Sequence, residues 1–141
     1  MAQKSTHSSG PVVIVDDSLM DATIAERVYE RSRLQNPLRI LRSGSDFIHY
    51  MQRVEAGEEP HPALVFMDIH MEGQTGIETV RQLRNHPRFR SQPPVVMLTN
   101  DDDRSSRETA LAVGADRYAL KPSKPSDFVA FFDSFHSSQD S

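Results

Sequence analysis

The chain has 141 residues, 37% apolar and 26% charged, with a net charge of −4. That is enough for one domain with a real core, and it gives no general attraction to nucleic acid or anionic membranes. Cysteine is absent, which excludes disulfides, zinc–thiolate sites and thiol catalysis.

The Ser-rich residues 1–10 lack periodic apolar positions and an apolar signal region, and read as a disordered leader. No apolar stretch approaches the roughly 20 residues that span a bilayer, so a cytoplasmic location is the expectation. Val12–Val15 is a β-branched strand that runs into Asp16 and Asp17. Ser18, with Asp21 three residues on, resembles a capping box. It opens a helix to about residue 32 with Leu19, Ala22, Ile24, Ala25 and Val28 facing inward. Asn36-Pro37 breaks the chain before a short strand at Leu38–Leu41. Ser43-Gly44-Ser45 is a turn and cap for a helix to about Glu55, burying Phe47, Ile48, Met51 and Val54.

After a loop at 56–62, the run Ala63-Leu64-Val65-Phe66-Met67 ends on Asp68, with Gly73 and Gly76 close behind. A continuous apolar run bounded by turn residues predicts a strand buried on both faces. Thr75 with Glu78 is a second capping-box pattern, opening a helix that buries Ile77, Val80 and Leu83. Residues 85–94 hold three prolines and read as a loop. The fourth strand is Val95-Val96-Met97-Leu98, running into Thr99. A helix over 104–113 follows, with Gly114 as its C-terminal stop. Tyr118-Ala119-Leu120 is a fifth strand ending on Lys121-Pro122. The last helix begins near Pro125 or Ser126 and uses Phe128, Val129, Phe131, Phe132 and Phe135 as core; residues 136–141 read as a frayed polar tail. Five strands alternating with five helices predict an α/β fold with a parallel sheet, right-handed crossovers and helices on both faces.

The strand ends carry the chemistry. If the first and third strands are neighbours, Asp16, Asp17 and Asp68 converge. Two like charges ~4 Å apart repel by about 4 kcal/mol at an effective dielectric of ~20, so the group needs a cation or raised pKa values. Hard carboxylate oxygens suit Mg²⁺. Thr99 and Lys121 end the neighbouring strands. An ammonium and a hydroxyl opposite carboxylates are what a phosphoryl group on one of those carboxylates requires.

Val15-Asp16-Asp17, Met67-Asp68-Ile69-His70-Met71 with Gly76-Ile77-Glu78, Leu98-Thr99 and the run from Gly114 to Lys121-Pro122 together resemble the receiver domain of two-component response regulators. The resemblance covers about residues 11–135, leaving 1–10 and 136–141 as flexible ends. It implies a flavodoxin-like fold with five parallel strands in the order 2-1-3-4-5. It implies that Asp68 accepts a phosphoryl group from a phosphohistidine on a sensor histidine kinase or a histidine phosphotransfer protein. Asp17 and Asp68 would bind Mg²⁺ directly, Asp16 through water and His70 through its backbone carbonyl. Lys121 would pair with the phosphoryl oxygens, Thr99 would move to bond them, and Tyr118 would turn inward as the switch. The Lys121–Pro122 bond would be cis.

His70, Asp101 and Ser123 depart from the usual residues at their positions. His70 and Asp101 stand where residues influence the placing of attacking water. The chain stops soon after the last helix, so a single-domain regulator is expected, with no output domain. It would act on an unidentified downstream protein, as monomer or homodimer, with no nucleic-acid or membrane partner. Its chemistry would extend only to its own phosphorylation and dephosphorylation. A phosphotransfer intermediate or phosphate sink is the alternative. The 56–62 loop and the proline-rich 87–94 stretch resemble small regulators of bacterial phytochrome kinases. A flavodoxin-type FMN site is disfavoured because Asp16 and Asp17 would repel its phosphate. A haloacid-dehalogenase-type phosphatase is disfavoured because His70 replaces the second acid.

Overall fold

A computed structural model describes residues 9–101 and 103–140, with 137–140 described by backbone alone. Residues 1–8, most of the stretch read as a leader, lie outside this range. Gly10 is already part of the fold: it is buried, and its carbonyl accepts from Asn36 Nδ2 at 2.8 Å.

Five apolar runs form the strands β1 (Val12–Val15), β2 (Leu38–Leu41), β3 (Leu64–Asp68), β4 (Val95–Thr99) and β5 (Arg117–Leu120). All pair in parallel, in the expected order β2-β1-β3-β4-β5. The central strands β1, β3 and β4 are buried along their whole length, whereas the edge strands β2 and β5 are partly exposed. Successive side chains of a strand point to opposite faces, and the core divides accordingly. Val13, Val15, Val65, Met67, Val95 and Met97 face one layer; Val12, Ile14, Leu64, Phe66, Val96 and Leu98 face the other.

The first layer is covered by α2 (Gly44–Glu55), α3 (Gly76–Asn85) and α4 (Arg104–Ala112); the second by α1 (Leu19–Arg31) and α5 (Pro125–Asp140). On the second side Phe66 meets Phe132 and Phe135 edge-on, with centroids 5.3 and 5.1 Å apart. The Phe run of α5 is therefore core, as its spacing implied. The helix extends past the expected end near Phe135, since no Gly or Pro follows Pro125 to stop it. A short 3₁₀ turn, Pro87–Phe89, interrupts the expected 85–94 loop and buries Phe89. Among the described residues no helix is long and apolar enough to cross a membrane.

α1 departs from its expected inward face. It buries Ala22, Ala25, Val28 and Tyr29, while Leu19 and Ile24 are 67% and 40% exposed. At about 100° per residue, both lie roughly 110° from the centre of the buried stripe, one on each flank. The stripe is set by small residues that let α1 approach the sheet closely. In α2, Tyr50 is fully buried beside Phe47, Met51 and Val54, and Ile48 is only partly covered.

The end of the sheet opposite the strand C-termini is fastened by Arg84. Its guanidinium is almost fully buried and donates to the carbonyls of Gly114 (3.0 Å), Phe89 (3.2 Å) and Pro93 (2.9 Å) and to Asp116 Oδ2 (3.2 Å). Asp116 Oδ2 in turn accepts from Val95 N–H at 2.8 Å. Burial pulls the Arg84 pKa down, and the Asp116 charge opposes that. Gly114 closes α4 as expected: its N–H donates to Leu111 and that of Ala115 to Ala110. Its φ of +117° and the 2.6 Å that a Cβ would leave to Arg84 Cγ both demand glycine.

Arg84→Met keeps the stem but strands four acceptors. It is expected to cost about 3–5 kcal/mol in urea unfolding. Arg84→Lys should recover only a minor part of that, because one ammonium lacks the planar fork. A loss below about 1 kcal/mol for the Met variant would contradict this account.

Candidate functional site

The register brings the strand ends level. Val15 pairs with Met67, so Asp16 and Asp68 emerge side by side; Asp68 pairs with Leu98, and Thr99 with Leu120. The next link continues the ladder, with Lys121 N–H donating to the Thr99 carbonyl at 2.7 Å. Gly76 permits the tight return after β3. Its N–H donates to the Ile69 carbonyl at 2.9 Å, and a Cβ there would lie 2.3 Å from the Asp68 carbonyl oxygen.

Asp16, Asp17 and Asp68 each offer a carboxylate oxygen within 4.8 Å of the others. Asp16 and Asp68 are buried, and Asp17 is half-buried. Turn backbone orients all three: Ser18 N–H donates to Asp16 Oδ1 (3.0 Å), Glu72 N–H to Asp17 Oδ2 (2.8 Å) and His70 N–H to Asp68 Oδ1 (3.3 Å). Three hard oxygen donors at this spacing, without thiolate or imidazole among them, fit a divalent cation of the Mg²⁺ kind. The His70 side chain is exposed and outside this group.

Lys121 balances the acids. Its side chain is 8% exposed, and Nζ donates to Asp16 Oδ2 at 2.8 Å, Asp21 Oδ2 at 3.0 Å and Asp68 Oδ2 at 3.5 Å. Burial alone would lower the ammonium's pKa, but hydrogen bonds to Asp16 and Asp21 and the charges of Asp16 and Asp68 outweigh it and raise the pKa. Burial pushes the Asp68 carboxyl up to about 6, with Asp16 adding to the rise, while Lys121 and the His70 N–H hold it down.

Thr99 and Tyr118 stand at the β4 side of the site, both buried. Thr99 Oγ1 turns into the following loop, donating to the Asp101 carbonyl (3.1 Å) and accepting from Asp101 N–H (3.2 Å). The Tyr118 hydroxyl donates to the same Asp101 carbonyl at 3.3 Å, and the Arg107 guanidinium lies 5.1 Å from its ring centre. Tyr118 is thus inside while Thr99 bonds its own loop. The expected cis bond at Lys121–Pro122 is absent: the cis peptide among the described residues is Gln92–Pro93. Cis and trans X–Pro bonds differ by only about 0.5–1 kcal/mol, so residue type alone does not choose between them.

Two residues of the site were not foreseen. Asp21 reads in sequence as the third residue of a helix start, and Ser18 does cap its N–H at 3.2 Å. The Ser18 N–H, however, goes to Asp16, and the Asp21 carboxylate turns to Lys121, so the capping box is only half formed. Arg42, just after β2, donates to the carbonyls of Asp16 (3.1 Å) and Asp17 (2.9 Å) and braces the acidic turn from below. Its only sequence signal is its place at a strand end.

The sequence profile of the response regulator receiver domain matches residues 12–133. The chain is 31% identical over 104 residues to the response regulator Rcp1 of Synechocystis, covering 70% of this chain and 71% of that protein. Among solved structures it is similar to the response regulator RPA3017 in red light signaling of R. palustris (TM-score 0.80, 25% identity, 89% and 90% of the two chains). It is also similar to the bacteriophytochrome response regulator RtBRR (TM-score 0.73, 30% identity, 88% and 76%).

The raised Asp68 pKa has a stability consequence. The folded chain holds a proton that the unfolded chain, with its carboxyl near the ordinary 3.8, has already released. Ion-free protein therefore gains stability from this group as pH falls through about 6, and the gain is complete below about 4. Asp68→Asn removes the buried charge, so at pH 7.5 in chelator it should be more stable than the native chain by on the order of 2 kcal/mol. The gap should close near pH 4. A gap that stays constant across this range would refute the assignment.

Proposed function

The chain belongs to the response regulator receiver family, and on that premise we propose that it is a phosphorylation switch whose acceptor is Asp68. The observation that carries the reading is the meeting of Asp16, Asp17 and Asp68 with the Lys121 ammonium at one end of the sheet. A carboxylate oxygen of Asp68 attacks the phosphorus of a phosphohistidine. An O–P bond forms, the N–P bond breaks, and the imidazole leaves with the electron pair and takes up a proton. Asp17, Asp68 and the His70 carbonyl, with Asp16 through water, would hold Mg²⁺, which would supply charge neutralisation for the phosphoryl oxygens. Lys121 supplies a second, fixed positive charge there. The chain acts on no other substrate: the chemistry begins and ends on its own Asp68.

The phosphoryl group adds about two negative charges and three acceptors at the end of β3. Thr99 then exchanges the Asp101 carbonyl for a phosphoryl oxygen. Because Tyr118 uses the same carbonyl, that exchange alters the support of Tyr118. The change passes to the surface of α4, β5 and α5, which a downstream protein reads. The likeness to the bacteriophytochrome response regulator RtBRR, and to RPA3017 in red light signaling, supports a phytochrome-type histidine kinase as the phosphoryl source.

With Mg²⁺ and a small-molecule phosphodonor, the native chain should acquire one acid-stable, hydroxylamine-labile phosphoryl group, and Asp68→Ala none. Lys121→Met should slow labelling by roughly 100-fold or more, as removal of a fixed electrostatic donor does. Labelling of Asp68→Ala at the native rate would sink the reading. Among purified sensor kinases, transfer should be fastest from a phytochrome kinase.

A further inference from the structure

Asp21 belongs neither to the cation-binding carboxylates nor to the usual reading of a helix cap. Its carboxylate lies 3.0 Å from Lys121 Nζ, nearer than the 3.5 Å between Nζ and Asp68. An ammonium has three N–H donors, and here three carboxylates share them. The three differ in what a bound cation does to them. Asp16 and Asp68 are in the oxygen group that fits the cation, so a bound cation would redirect them. Asp21 is outside that group, fixed on the first turn of α1 by the Ser18 cap. A cation held by that group would not draw it off Lys121.

We propose that Asp21 is a positioning residue that restrains Lys121 at α1 and weakens its hold on the phosphoryl group of Asp68. The inference rests on the receiver reading above. Asp21 acts in two ways with one sign. It occupies a donor that a phosphoryl oxygen would otherwise use, and its negative charge offsets part of the Lys121 charge felt at Asp68. Because the Asp21 side chain is 38% exposed, the effect is screened and moderate. The acyl phosphate is thereby made less stable than the other residues of the site would allow.

The test is titration of beryllofluoride, a phosphoryl mimic, in saturating Mg²⁺, followed by fluorine NMR. Asp21→Asn should bind it about two- to fivefold more tightly than the native chain, the scale of one partly exposed ion pair. Asp21→Glu, which keeps the charge, should stay near the native affinity. Without beryllofluoride, the Mg²⁺ affinity of Asp21→Asn should change by no more than about threefold. A gain in binding is a result that mere structural damage would not give. Unchanged or weaker beryllofluoride binding by Asp21→Asn, or an equal gain in Asp21→Glu, overturns the inference while leaving the receiver reading intact. A larger fall in Mg²⁺ affinity overturns it too, placing Asp21 on the cation instead of on Lys121. Failure of the native chain itself to bind beryllofluoride overturns both.

Discussion

One ammonium among carboxylates is the constraint around which this end of the molecule is built. Burying Asp16 and Asp68 beside each other costs several kcal/mol per charge unless something answers it. Two groups of donors do, the N–H groups of the turns after β1 and β3 and the Lys121 ammonium, and a divalent cation that fits these oxygens would be a further answer. The backbone donors can be supplied by any well-formed turn. Lys121 cannot be replaced so simply, because its reach from β5 across β4 to β3 and β1 depends on the whole strand order. The site is a property of the sheet, not of any one loop.

That dependence explains why the opposite end of the sheet is so firmly tied. The ends of α3 and α4, the 3₁₀ turn and the start of β4 all converge on the Arg84 guanidinium. If β4 slipped by one residue relative to β3, every side chain would change face, and Thr99 and Lys121 would leave the acids. Asp116, which joins Arg84 to the first N–H of β4, fixes the register of the strand whose far end carries Thr99.

Most of this could be read from the sequence because the signals are local. A β-branched or apolar run ending on a polar group marks both a buried strand and its ligand-facing end. Asp16, Asp17, Asp68, Thr99 and Lys121 were legible for that reason, and the strand order followed from the family resemblance. What escaped was set by contacts distant in the chain. Asp21 and Lys121 are a hundred residues apart, and no pattern around Asp21 distinguishes a capping acid from one aimed at a lysine. Arg84 carries no local signal either, because its acceptors on Phe89, Pro93 and Gly114 lie outside its own helix. Leu19 and Ile24 are apolar without being buried, because the small Ala22 and Ala25 decide which side of α1 meets the sheet.

The buried polar atoms at β4 show how such a site can be read at a distance. Thr99 and Tyr118 come from neighbouring strands, and both hydroxyls donate to the single carbonyl of Asp101. A carbonyl has two lone pairs, so this shared acceptor is fully used. Withdrawing Thr99 toward a new acceptor on Asp68 would free one lone pair and leave Tyr118 alone to hold the loop, through the carbonyls of Asp101 (3.3 Å) and Asp103 (3.5 Å). A shift of Thr99 toward Asp68 would thus be felt in the loop before α4 without a long pathway. One oxygen, shared by two donors, is sufficient to make the positions of Thr99 and Tyr118 depend on each other.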